Sequence, residues 1–258
     1  MILSKYLFSA LLLTLSLSHP SFAEDAKPAP DWEQISNDDG VTTFKKEIPN
    51  SSKLAFRGTG VLDAGLIRIL TVLTDTPRLK EWMENLNQSI ILEKPSIAER
   101  YVYNETHIPW PLKNRDFLLH IVSRWDPELK AVVIESKSIP EHPKAPQKTG
   151  CVRGEITFAQ YVLKPIDDWK RTEFKIEVQA DPKGGIPGWV VNLFQKGWAR
   201  KTIKALRKQI AKTDIQENQE LKSYIIAEAK RLGFPTQAIE GAAPAAPAKE
   251  TASSASTL

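Results

Sequence analysis

The chain has a single cysteine, Cys151, and only four histidines in 258 residues. One thiol cannot close an intrachain disulfide, and four scattered imidazoles lack the close spacing of a structural zinc site, so stability must come from packing. Glycine is scarce, at 12 residues, and no internal repeat recurs, which excludes collagen-like and solenoid architectures. No apolar run reaches the roughly 20 residues that a membrane-spanning helix needs. Acid is missing where base is dense: Lys196, Arg200, Lys201, Lys204, Arg207, Lys208 and Lys212 follow Trp189 with no Asp or Glu among them. The net charge of +4 is therefore local, and the rest of the chain is net negative. What remains is an ordinary globular composition, 41% apolar and 26% charged, with length for one sizeable core.

Lys5, the apolar residues 6–17 and Ser21-Phe22-Ala23 have the order of a signal peptide: a positive start, a short hydrophobic segment and small residues before the cut. We expect residues 1–23 to be removed after Ala23 and the product to be exported, periplasmic or secreted. No cysteine follows the apolar run to carry a lipid anchor. Residues 24–30 read as a polar leader, residues 31–233 as one folded domain, and residues 234–258 as a disordered tail rich in Ala, Pro and Ser. Nucleic acid is not an expected partner, no metal or cofactor is implied, and the domain is expected to be a monomer.

Residues 32–36, 41–47 and 54–62 read as strands separated by turn chemistry at Asn37-Asp38-Asp39-Gly40 and Pro49-Asn50-Ser51. Asp63 is placed to cap a helix over 64–73, and a short helix is expected at 77–82. Six further strands are expected at 89–93, 100–108, 116–125, 132–138, 152–163 and 172–179, an antiparallel meander. Beyond Gly184-Gly185-Ile186-Pro187 the pattern turns helical: Ala199, Ile203, Leu206 and Ile210 share one face, with Lys196, Arg200, Lys204 and Arg207 roughly opposite. A second helix spans 215–232 and stops at Gly233. The expected fold is α+β, a helix-grip: a curved antiparallel sheet wrapped around a long C-terminal α-helix, with room for an internal hydrophobic cavity.

Specific residues carry a resemblance. The run Pro109-Trp110-Pro111-Leu112-Lys113-Asn114-Arg115-Asp116-Phe117 resembles the P-W-P-x-x-x-R-D-F signature of START domains, the lipid-transfer domains related to steroidogenic acute regulatory protein. Arg57-Gly58-Thr59-Gly60-Val61, Leu73-Thr74-Asp75 with Glu81-Trp82, Gly150-Cys151-Val152-Arg153 and the run from Asp181 to Pro187 fall in the order that family requires. The resemblance implies a helix-grip fold that binds or transfers a lipid in an internal tunnel without covalent chemistry. It does not name the lipid. The charged pair of steroidogenic members would fall on Ile121 and Val102, both apolar, with Glu105 near enough to substitute.

On that reading Arg115 points inward with Phe117, Leu119 and Ile121 and takes a headgroup, with Asp181 or Glu105 as its partner; a structural anchor closing a loop is the other reading. Trp110, Val190 and Phe194 are candidates for the cavity or its mouth. Trp189, Trp198, Arg200, Lys204 and Arg207 are candidates for transient contact with an anionic membrane surface, the alternative being a solvated basic face. His107 and His120 invite a second function, since related helix-grip proteins include polyketide cyclases and aromatases that need a proton shuttle. No nucleophile or metal site accompanies them, so no catalytic residue is assigned.

Overall fold

The computed structural model describes residues 32–146 and 150–240, except for the side chains of residues 193–195. The expected signal peptide, the leader and residues 241–258 of the expected tail lie outside the described residues.

Ten strands make one sheet: β1 (Glu33–Asp38), β2 (Val41–Glu47), β3 (Leu54–Leu62), β4 (Leu86–Ser96), β5 (Glu99–Thr106), β6 (Arg115–Asp126), β7 (Ala131–Ser138), β8 (Val152–Arg153), β9 (Glu155–Ile166) and β10 (Arg171–Asp181). The order across it is β1-β2-β3-β10-β9-β7-β6-β5-β4, antiparallel throughout, with short β8 lying parallel to β6. The turns follow from local chemistry. Asp39 and Gly40 both take positive φ, 55° and 65°, which the two-residue loop between β1 and β2 requires. Asp126 Oδ1 accepts from the main-chain N–H groups of Glu128 and Leu129, fixing the β6–β7 turn.

The helices are α1 (Leu66–Thr74), a 3-10 turn (Thr76–Glu81), α2 (Gly188–Lys196), α3 (Trp198–Ile210), α4 (Gln219–Arg231) and α5 (Gln237–Glu240). The expected single long helix is thus two segments meeting at Gly197. Asp63 is exposed and caps nothing; Gly65 takes the cap position of α1 without a side-chain bond, and a Cβ there would lie 2.8 Å from Trp169 O.

Helix α3 buries Ala199, Ile203, Leu206 and Ile210, the face expected from their spacing, against Val41, Leu62, Phe174 and Ile176 of the sheet. It lies close because β3 offers no side chain at Gly58, where an added Cβ would sit 2.8 Å from Ala199 Cβ. Arginines fasten the elements to main chain. Arg68 of α1 donates to the carbonyls of Ile210, Lys212 and Ile215 at the end of α3, where unsatisfied carbonyls collect. Glu81 accepts from Arg78, Gln209 and Lys212, and these donors, Arg78 first, hold its carboxyl well below the usual range.

The folded region does not end at Gly233. Phe234 packs on Trp125 at 5.1 Å, Trp169 Nε1 donates to Pro235 O at 3.0 Å, and Ile239 is buried. Residues 234–240, expected in the tail, therefore belong to the domain: Phe234 and Ile239 supply the apolar surface that the rest of the tail lacks. Trp169 holds φ at 66°, a left-handed conformation that a bulky side chain adopts only where packing over-determines it, here between Trp125 and Pro235.

Candidate ligand-binding site

Side chains alternate across a strand, so the buried Val102, Leu119, Ile134 and Ile176 identify the inner face of β5, β6, β7 and β10. On the same phase stand Arg100 and Asn104 of β5, Phe117 and Ile121 of β6, Ser136 of β7 and Tyr161 of β9. Tyr161 is paired on both sides, by β7 and β10, and protein surrounds its phenol, yet its side chain keeps accessible surface. Arg100 is enclosed in the same way and likewise keeps a minor part of its surface accessible. Residues surrounded by protein that still keep accessible surface mark a recess on the inner face of the sheet.

That space is polar at a few points. Burial pushes the Tyr161 phenol up to about 12, against a smaller opposing pull from Arg100, so it stays a hydroxyl donor. Burial also pushes the Arg100 guanidinium down, and no carboxylate among the described residues offsets this. Ser89 Oγ and Asn104 Oδ1, on facing strands, are buried without a protein partner and need a water or a ligand group. Among the described residues, no group of three or more His, Cys, Asp and Glu is placed to hold a metal.

The residues singled out from the sequence separate into three places. Phe117, Leu119 and Ile121 do face inward, the last two nearly dry. Arg115 shares their phase, but its guanidinium turns to main chain: Nε donates to Pro182 O at 3.1 Å, Nη2 to Lys183 O at 3.1 Å and Nη1 to Lys113 O. It straps the β5–β6 loop to the β10–α2 loop, which is the anchor reading. Neither expected acid partners it. Glu105 pairs in register with Asp116 on the convex face, accepting from Asn87 and Asn114, so it cannot stand in for an acid in the cavity. Asp181 binds Lys53 at 3.1 Å. Trp110, expected in the cavity, is 91% exposed at the tip of the β5–β6 loop.

Beside α2 lies a cleft of about 460 Å³, floored by Phe56 and Leu54 and walled by Ile35, Trp189, Asn192 and Lys196. Trp189 is 72% exposed, Val190 is half-buried while the adjacent Val191 is buried, and the Phe194 side chain lies outside the described residues. Trp198, expected at a membrane, packs against the main core instead.

The basic face of α3 is spoken for. Arg200 pairs with Asp38 at 3.2 Å and Lys204 with Asp39 at 2.6 Å, while Arg207 donates to the carbonyls of Asp39, Gly40 and Val61. All three brace the β1–β2 turn, and Asp38 and Asp39 offset the charge of Arg200 and Lys204, while Arg207, held by neutral carbonyls, keeps its own. His107 is exposed, and His120 is on the convex face, 2.7 Å from Glu99 and stacked on Tyr101. Neither borders the recess.

The inward residues missed from the sequence are Arg100 and Tyr161. Their signal was phase: each falls on the parity of a buried neighbour, Val102 or Leu163.

Comparison with known proteins agrees with this geometry. A START domain match covers residues 20–213. The chain is 28% identical over 186 residues to the phosphatidylcholine transfer protein of Mus musculus, covering 69% of this chain and 82% of that one. It is 25% identical over 179 residues to an uncharacterized protein of Pseudomonas aeruginosa, covering 69% and 86%. Its structure resembles a STAR-related lipid transfer protein fragment from Xanthomonas axonopodis, with a TM-score of 0.62, 26% identity and coverage of 70% and 99%. Human STARD10, at 22% identity and a TM-score of 0.63 over 77% and 79% of the two chains, shares the fold. With the START model matched over residues 20–213, this chain belongs to the START domain family.

Proposed function

We propose that this protein binds a lipid in the space between the sheet and α3 and exchanges it at membrane surfaces, without chemistry on the lipid. The supporting observation is the enclosed yet accessible inner face around Tyr161, lined by Phe117, Leu119 and Ile121. An apolar space with few polar groups suits a ligand that must be hidden from water. The cyclase reading loses the two histidines it named, because His107 is exposed and His120 stands on the convex face. Native mass spectrometry of the purified protein with organic extraction should recover a bound lipid; a protein that stays empty after incubation with lipid vesicles would refute the reading.

Exchange needs a surface, and one end of the molecule offers it. Arg115 ties the loop that carries Trp110 and Leu112 to the loop that leads into α2 and Trp189. The exposed Trp110 and Trp189 therefore lie at the same end, amphipathic rings of the kind that settle at a bilayer interface. Replacing both with Ala should slow fluorescent-lipid transfer between vesicles at least tenfold, since each ring contributes on the order of 1 kcal/mol or more at the interface. Arg200→Gln with Lys204→Gln should change it by less than about threefold, because those charges face Asp38 and Asp39. The reverse ranking would move the contact to α3.

We also propose that the protein is exported, on the signal-peptide pattern of residues 1–23. N-terminal sequencing from the periplasmic or secreted fraction should begin at Glu24, and an intact Met1 terminus in the membrane fraction would oppose it.

A further inference from the structure

Every other arginine among the described residues has an acid or a main-chain carbonyl as partner: Arg57 has Glu177, Arg153 has Asp116, and Arg68, Arg115 and Arg207 have carbonyls. Arg100 has neither. It stands on the inner face of β5, opposite Ile121 of β6, and Ile121 is in turn opposite Ser136 of β7. From β9, with β6 and β7 between it and β5, Tyr161 stands on the matching phase of the same face. A guanidinium largely enclosed by protein without a counter-charge is costly to keep, and Arg100 fastens nothing among the described residues.

We infer that Arg100 is the anion-binding residue of the cavity: it receives the oxyanion of an amphiphile, a carboxylate or a phosphodiester, whose hydrocarbon lies along Ile121, Leu119 and Phe117. This deepens the lipid-binding reading and rests on it. The planar guanidinium presents paired N–H donors to two oxygens at once, which an ammonium does not. The protonated Tyr161 hydroxyl is a further donor across the cavity, and Ser136 supplies a hydroxyl between them. Apolar walls strengthen each of these bonds by excluding water.

The test presents three probes from cyclodextrin to the delipidated full-length protein: oleic acid, dioleoyl phosphatidylglycerol and, as the uncharged counterpart, oleyl alcohol. Wild type should bind at least one oxyanion probe tenfold or more tightly than the alcohol. Arg100→Met should cut that preference by about tenfold to a hundredfold, the worth of a charge-assisted contact, and Arg100→Lys should keep part of it. Dependence on Arg100 for oleic acid alone identifies a free carboxylate; dependence for phosphatidylglycerol alone identifies a headgroup phosphodiester. A preference that survives in Arg100→Met, or a wild type that binds the alcohol equally well, overturns the inference and leaves lipid binding standing. Failure to bind any of the three overturns lipid binding itself. The ligand-free Arg100→Met protein should melt no lower than wild type, because a buried unpaired charge has been removed; a midpoint several degrees lower would show that Arg100 serves the fold and would also overturn the inference.

Discussion

Arg115→Ala should lower the thermal midpoint by roughly 10 °C. The side chain is 2% exposed and gives one bond to each of three main-chain carbonyls on two loops. Bonds from a charged donor contribute about 1.5–3 kcal/mol each, and part of that returns when water reaches the loops, leaving about 4 kcal/mol. For a domain of this size each kcal/mol shifts the midpoint by about 2–4 °C. Arg115→Lys should restore little, because one ammonium cannot span Lys113, Pro182 and Lys183 together. Differential scanning calorimetry decides: a midpoint within 2–3 °C of wild type for the alanine variant would mean that the strap is incidental. The variant should also transfer lipid slowly, since it uncouples the loops that bear Trp110 and Trp189.

Gly58→Val should cost about 3 kcal/mol, toward the upper end of overpacking effects. An added Cβ would lie 2.8 Å from Ala199 Cβ, 3.1 Å from Ile203 Cδ1 and 3.4 Å from Ile176 Cγ2, so α3 must lift off the sheet. The closest of the three, Ala199 Cβ, is fixed to the helix backbone and cannot swing aside, and the helix is further held by Arg68, Arg207 and Gln209. Ala199→Gly in the same chain should recover part of the loss, a coupling that independent sites would not show. Urea unfolding of the two single variants and the double variant measures it; simple additivity would show that Gly58 is not the point of approach.

The sheet was readable because alternation and turn chemistry act over a few residues. Asp39-Gly40 announced its hairpin, and β-branched and aromatic runs announced β4 to β7 and β10, while the single strand expected over 152–163 is broken at Gly154 into β8 and β9. Ala199, Ile203, Leu206 and Ile210 announced the buried face of α3. The site was harder, because a sequence shows a charge but not what the charge touches. Arg115 and Arg207 look like groups awaiting an anion, yet their partners are carbonyls, which every residue carries and no sequence distinguishes. Glu105 needed the register of β5 against β6 before its convex position could be known. Arg100 was the converse, an ordinary strand residue until every nearby carboxylate proved to be engaged elsewhere or absent.

The place of β3 between β2 and β10 has a consequence for how the chain reaches its native state. β3 ends at Leu62 and its partner begins at Arg171, so one of its edges stays open until more than a hundred intervening residues have been made and brought back. Closing that loop precedes the reward of pairing, which makes assembly slow compared with a helical domain of equal size. Before β10 arrives, the edge of β3 that it will cover carries Phe56, Gly58 and Gly60 with Arg57 as its one charge, little to discourage another chain from pairing there. Dilute, slow refolding should therefore give better yields than rapid refolding at high concentration.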